Sequence, residues 1–273
     1  IRFTKANIII NLVCINYFLV LSKNIFMKTF YLLVLLQFSF YGIAQVLEPL
    51  QADRPDQTET PSIVPKGMFQ AETGFTFQKN DANSKTNTLP STLWKYGVNE
   101  NFELRLITEF TSETLNKQTT SGLNPILIGC KIKMFEEKGF WPKTSFIGHV
   151  LIPNAASSNF KTDYCAPEFR FVMQHTLSEK ISFSYNLGAE WDGFLPEPTF
   201  IYTIASGYSF TDKLGAYVEV FGFAPQYETA NHSFDGGFTY LINNNFMVDL
   251  SSEVGITDNA PKHYVAVGFS FRI

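Results

Sequence analysis

From Gly67 to Ile273 the chain repeats a single beat. Stretches of about ten residues alternate apolar and polar, and turn residues separate them. The last stretch, His263-Tyr-Val-Ala-Val-Gly-Phe-Ser-Phe-Arg-Ile273, is the clearest. Val265, Val267, Phe269, Phe271 and Ile273 share one face, and Tyr264, Ala266, Gly268, Ser270 and Arg272 share the other. A period of two is the signature of a β-strand with unlike faces. A chain built this way must find two different environments for the two sides of every strand.

Twelve such strands are predicted, at 67–78, 88–98, 102–111, 124–134, 141–152, 163–175, 181–191, 199–210, 214–223, 231–242, 246–256 and 262–273. Five connections are tight: 99–101, 136–139, 177–180, 211–213 and 243–245. They alternate with longer ones, such as 79–87 and 112–123. Short periplasmic turns and long extracellular loops alternate in this way in bacterial outer-membrane barrels. A soluble β-sandwich also alternates, with turns every 8–12 residues or so. The sandwich is disfavoured by strand length, which matches the ~9–11 residues needed to cross a bilayer at a tilt. It is also disfavoured by the alternating turns and the aromatic-rich terminal strand. The expected fold is therefore all-β: an antiparallel transmembrane barrel with both ends on the periplasmic side.

Composition agrees. Aromatic residues make up 16% of the chain, with 28 Phe and 12 Tyr, as suits a barrel with aromatic girdles at both membrane interfaces. Met27 to Gln45 has a basic start, an apolar run and a small-residue exit, which reads as a secretory signal (residues 27–44) cut after Ala44. Residues 1–26 are read as a non-native leader or a mis-called start, with a two-helix anchor as the alternative. Without residues 1–44 the 21 bases fall by four to 17, against 25 acids, a net charge of −8. No basic stripe remains, which argues against a nucleic-acid partner. Cys130 and Cys165 make no disulfide framework or metal spacing. No cofactor, metal or catalytic set is expected.

With the apolar face toward lipid, the other face lines a lumen. Glu103, Arg105 and Glu109 then point inward, as do Glu168 and Arg170, Glu190, and Asp249 with Glu253. Glu72, Lys95, Lys131, Lys133, His149, Glu219 and Arg272 join them, with Tyr217 and Phe221. Two readings of this face stand: paired charges that brace a narrow barrel, or a polar path for a substrate. In a water-filled lumen each pair would be screened and add little stability.

Residues 45–66 carry Pro49, Pro55, Pro61 and Pro65 and form no regular strand. They are read as a periplasmic tail or a plug. Within them, Ala52-Asp-Arg-Pro-Asp-Gln-Thr-Glu-Thr-Pro61 is not generic, and Val64-Pro-Lys-Gly67 and Phe69-Gln-Ala-Glu72 follow it. Together with Leu89-Pro, Lys95-Tyr-Gly-Val98 and Phe102-Glu-Leu-Arg105, this segment resembles the transporter family named for a meta-pathway of phenol degradation. The likeness covers most of residues 50–273 and is specific in its first third.

The resemblance implies an outer-membrane barrel of a Gram-negative bacterium. Its implied partners are outer-membrane lipid, the barrel-assembly machinery and a small-molecule substrate of unknown identity. Ala52 stands where the family often has Thr, Lys95 where Arg is usual, and Ile273 where barrels usually end on an aromatic. The tail is expected to fold into the periplasmic mouth. There Arg54 would meet lumen acids such as Glu103, and Asp53 or Asp56 would meet Lys95 or Arg105. The leading function is passive transport of a small molecule, an aromatic or amphipathic one suiting the lining. The alternatives are a non-conducting structural barrel and, further off, a hydrolase using His149 and Ser145.

Overall fold

The computed structural model describes residues 48–273. The expected leader, signal peptide and cleavage site lie outside the described residues. Thirteen strands follow one another: β1 (Phe69–Lys79), β2 (Ser84–Asn99), β3 (Phe102–Leu115), β4 (Gln118–Leu123), β5 (Ile126–Phe135), β6 (Lys143–Ile152), β7 (Ala166–Thr176), β8 (Ile181–Glu190), β9 (Thr199–Ser209), β10 (Leu214–Pro225), β11 (Asn231–Asn243), β12 (Phe246–Gly255) and β13 (His263–Arg272). Each pairs antiparallel with the next around the sheet, except that β4 and β5 both pair with β3, and β1 pairs with β13 to close it. Closure at β1 and β13 lets the long strands satisfy one another's backbone groups within hydrocarbon.

The twelve-strand reading holds, because β4 and β5 are one stave in two pieces. Both pair with β3, β4 along Phe110–Leu115 and β5 along Phe102–Ile107. Pro125 between them has no N–H to give the ladder. Residues 112–123, expected as a loop, instead form a hairpin. Its turn is Asn116-Lys117, both at positive φ (49° and 68°), as a two-residue hairpin turn requires. The 79–87 loop likewise shrinks, because β2 starts at Ser84. In β2, Leu89 and Pro90 bulge out of register on both sides: Thr88 and Ser91 pair with Thr76 and Gly74 of β1, and with Thr111 and Glu109 of β3. The missing proline donor thus leaves no orphaned carbonyl in the regular ladder.

The burial pattern inverts that of a soluble protein. Leu104 is 48% exposed and Val267 43%, while Glu103 and Lys131 are fully buried. Apolar side chains face out along every stave and charges face in. On the outer face the Trp94 indole donates to Thr108 Oγ1 at 3.0 Å. Cys130 and Cys165 are unpaired. A base on the outer face at mid-bilayer costs about 2–4 kcal/mol. Val267→Arg should therefore lower the stability of the lipid-inserted barrel by about that amount, measured by urea unfolding in vesicles.

Candidate functional site: the tail-filled lumen

Residues 48–66 enter the barrel from the end that carries the tight turns, and turn back to reach β1. The periplasmic rim holds the way in. Arg272 Nη2 donates to the Glu48 carbonyl at 2.6 Å and to Asn245 Oδ1 at 2.9 Å, and Leu50 N–H donates to the Asn244 carbonyl. The way out is held where Gly67 N–H donates to the Gly97 carbonyl. Between these points, no backbone-to-backbone bond ties residues 51–66 to a strand among the described residues. Barrel side chains take that role. Glu72 accepts from the N–H groups of Asp53 (2.8 Å) and Arg54 (3.1 Å), Glu219 from Gln57, Asn186 from Glu59 and Glu103 from Val64. Lys131 donates to the Thr60 carbonyl and Ser145 to that of Pro61.

Asp53 is the centre. Its carboxylate receives Lys95 Nζ at 2.8 Å, Arg105 Nη1 at 3.0 Å and Lys131 Nζ at 2.8 Å. Thr60 closes the turn on it through both N–H and Oγ1. Arg105 gives its second amino group to Glu59 at 2.7 Å and its Nε to His149 Nε2 at 3.2 Å. Burial pushes the Asp53 carboxyl up. The charges of Lys131, Lys95 and Arg105 outweigh burial and hold it well below the usual carboxylate range. A depressed docked pKa gives stability that is present above the free-tail value and lost only as pH falls through the docked one. Ionised Asp53 therefore holds the tail at neutral pH.

Arg54 turns the opposite way, to Asp249 Oδ1 at 2.9 Å, and not to Glu103 as expected. Its guanidinium lies over Gly74 and Gly268. A Cβ on Gly74 would sit 2.0 Å from Arg54 Nη1, and one on Gly268 would sit 2.6 Å from Arg54 Nε. Glu103 is engaged instead by Val64 N–H and, at 3.4 Å, by Arg105. The tip of the tail rests on β9 and β10, where Thr58 bonds Thr203 and Glu219.

Among the described residues Lys95 and Arg105 pair with acids other than Asp56, which faces an acidic wall. Burial, then Glu219 and Asp235, push its carboxyl well above the usual range. Glu219 and Asp235 are register partners on β10 and β11, and Asp235 and Glu253 on β11 and β12. The hydroxyls of Tyr217 and Tyr264 cap Asp235. The lumen is thus polarised across its width, bases on β2, β3 and β5 and acids on β10 to β12.

The remaining predicted residues sit around this core. Glu168 pairs with Arg170 at 2.9 Å and lies 3.6 Å from His149 Nδ1. Arg170 also donates to the Gln57 carbonyl. Glu109 is held by Ser91 and Asn124. Lys133 is at the rim, paired with Glu136. Glu190 borders a cavity of about 220 Å³ that Leu127, Leu151, Ala166 and Trp191 also line. A cleft of about 470 Å³ opens at the periplasmic mouth and one of about 1060 Å³ among the extracellular hairpins. Screening by lumen water was expected, but the central pairs are buried, so losing one partner would leave an uncompensated charge. The sequence reading missed Glu59, Thr203, Asp235 and the glycine pair. Strict alternation on β11 carries a signal for Asp235, since Ser233, Asp235 and Gly237 share a face.

A closed, lipid-facing barrel with a charged lumen is an outer-membrane β-barrel protein, here with its own tail inside. The family described as "Putative MetA-pathway of phenol degradation" matches residues 52–273, and the chain belongs to it. Its fold is similar to that of an outer-membrane channel from Pseudomonas putida F1, at a TM-score of 0.63 and 10% identity, over 80% of this chain and 99% of that one. It is also similar to the NanC porin, at a TM-score of 0.51 and 7% identity, over 74% and 98% of the two chains. No curated protein matches the chain.

Two outcomes follow for the seated tail. Gly74→Ala removes the seat of Arg54 while touching only its guanidinium. Amide exchange over residues 52–60 should then accelerate as it does in Arg54→Ala, read by mass spectrometry. The raised pKa of Asp56 has the opposite sign to that of Asp53. Its stabilising share is present below the free carboxyl value of about 3.9 and lost as pH rises through the docked one. Intrinsic-rate-corrected exchange of the tail should rise with pH, and Asp56→Asn should flatten that rise.

Proposed function

We propose that the protein is a passive outer-membrane channel whose lumen is shut, in the state described, by residues 48–66. The observation that carries this reading is the way the tail is held. Between its two ends it is held to the wall through side chains, with clefts at both mouths. A brace that was only structural could be built from the wall itself, without a separate segment that can leave. Once the segment leaves, the inward polar residues line a continuous path whose size and charge set what passes. That the two similar structures are a channel and a porin supports the reading, as does the phenol-pathway name of the family. The cargo is a small molecule that diffuses through, and Tyr217, Phe221, Leu127 and Leu151 suit one with an apolar part. Outer-membrane lipid surrounds the barrel. The barrel-assembly machinery inserts it by way of the aromatic terminal strand.

A non-conducting barrel is the second reading, favoured by the density of buried ion pairs around Asp53. A hydrolase has less support. Ser145 Oγ donates to the Pro61 carbonyl and His149 Nε2 accepts from Arg105, so neither is aimed at the other, whereas a nucleophile and its base must share a hydrogen bond. Deleting residues 48–60 should raise single-channel conductance in planar bilayers. Conductance unchanged from that of the full chain would leave the non-conducting reading in place.

A further inference from the structure

We infer that Lys95, Arg105 and Lys131 form a binding site for a small organic monocarboxylate, and that Asp53 occupies it as a ligand carried on the chain itself. The inference rests on the transport reading and names its substrate class. Three cations from three adjacent staves converge on both oxygens of one carboxylate. Arg105 gives one amino group to Asp53 and the other to Glu59, so its planar, permanently charged guanidinium holds two tail carboxylates side by side.

The wall by itself does not neutralise this cluster. Lys95 has Glu72 and Arg105 has Glu103, but the ion pairs of Lys131 among the described residues are with tail acids only, Asp53 and Glu59. Withdrawing the tail therefore leaves the Lys131 ammonium without either of its ion-pair partners, beside Glu103, its register partner on β3. An anion that enters as the tail leaves takes the place of Asp53. Asp53 and Glu59 are held by side chains in an irregular segment, so a free carboxylate can replace them without breaking a strand ladder.

A cavity further along the path bears on the character of the rest of the ligand. Leu127 lies on the same face of β5 as Lys131, four residues or about 13 Å along the strand, and with Leu151, Ala166 and Trp191 it provides an apolar wall. Glu168 and Glu190 border the same space and repel a second anionic end. A carboxylate with one apolar body suits this path better than a dicarboxylate.

The test uses the full chain with sodium benzoate as the probe, against benzamide and against sodium chloride at equal ionic strength. Chloride controls for screening of the pairs, and benzamide for the apolar body. The first readout is amide exchange of residues 53–60, which needs no conduction. Benzoate should accelerate it, with little effect from benzamide or chloride. Asp53→Asn should lower the benzoate concentration for half-maximal acceleration by about tenfold or more, the equivalent of at least ~1.4 kcal/mol. Lys131→Gln should abolish the benzoate response. Correct insertion of each variant is checked by heat-modifiable gel mobility. Equal responses to benzoate and benzamide, or an Asp53→Asn variant with the wild-type benzoate dependence, would overturn the site. The second readout is channel opening. Benzoate-specific exchange in a barrel that stays silent even without residues 48–60 keeps the site and removes the transport reading. Conduction without benzoate specificity does the reverse.

Discussion

Everything inside the barrel is arranged around one carboxylate and three cations. Lys95, Arg105 and Lys131 come from β2, β3 and β5 and sit in a space that the wall has withdrawn from water. Like charges this close destabilise one another unless an anion lies between them, and Asp53 is that anion. Its position sets the rest. Thr60 closes the turn on it, Arg54 is thrown to the opposite wall, and the next residues are carried to Glu219 and Thr203.

The wall answers the tail by charge. The basic arc takes Asp53 and Glu59, and the acidic arc takes Arg54 through Asp249. The acid that bears on both arcs is Glu72, which accepts two tail N–H groups while it pairs with Lys95. Asp56 is the discordant residue, a carboxylate facing carboxylates. A segment whose contacts all agreed would be a permanent part of the core. One bad contact among many good ones keeps the tail's grip sensitive to its surroundings.

Much of the fold was legible because period two is a local property. His263–Arg272 shows its two faces within ten residues, and the alternation of tight and long connections gives the sidedness. What was not legible depends on height along the barrel. Alternation says that Glu103 and Asp249 share an interior, but not which of them lies level with Arg54 of the tail. That depends on stagger and on bulges such as the one between Gly74 and Thr76. Arg54 was therefore matched to the wrong acid, while Asp53 was matched correctly to Lys95 and Arg105 because those two are direct register partners. Gly74 and Gly268 look like weak points in their strands. Their use appears only once a guanidinium lies across them. The 112–123 hairpin was hidden because Asn116-Lys117 lacks the glycine that usually marks such a turn.

The partners of the tail are scattered through the whole chain. Asp53 meets Lys131, 78 residues on; Thr58 meets Thr203, 145 on; and Arg54 meets Asp249, 195 on. No part of the strand sequence offers the full set until β13 has met β1 and the ring is complete. The segment that leads the barrel in the sequence therefore has its full set of partners only in the completed ring. Before the tail is seated, the closed wall holds an uncovered arc of bases facing an uncovered arc of acids, filled with water that the tail must expel. Full seating of the first segment waits on the last strand.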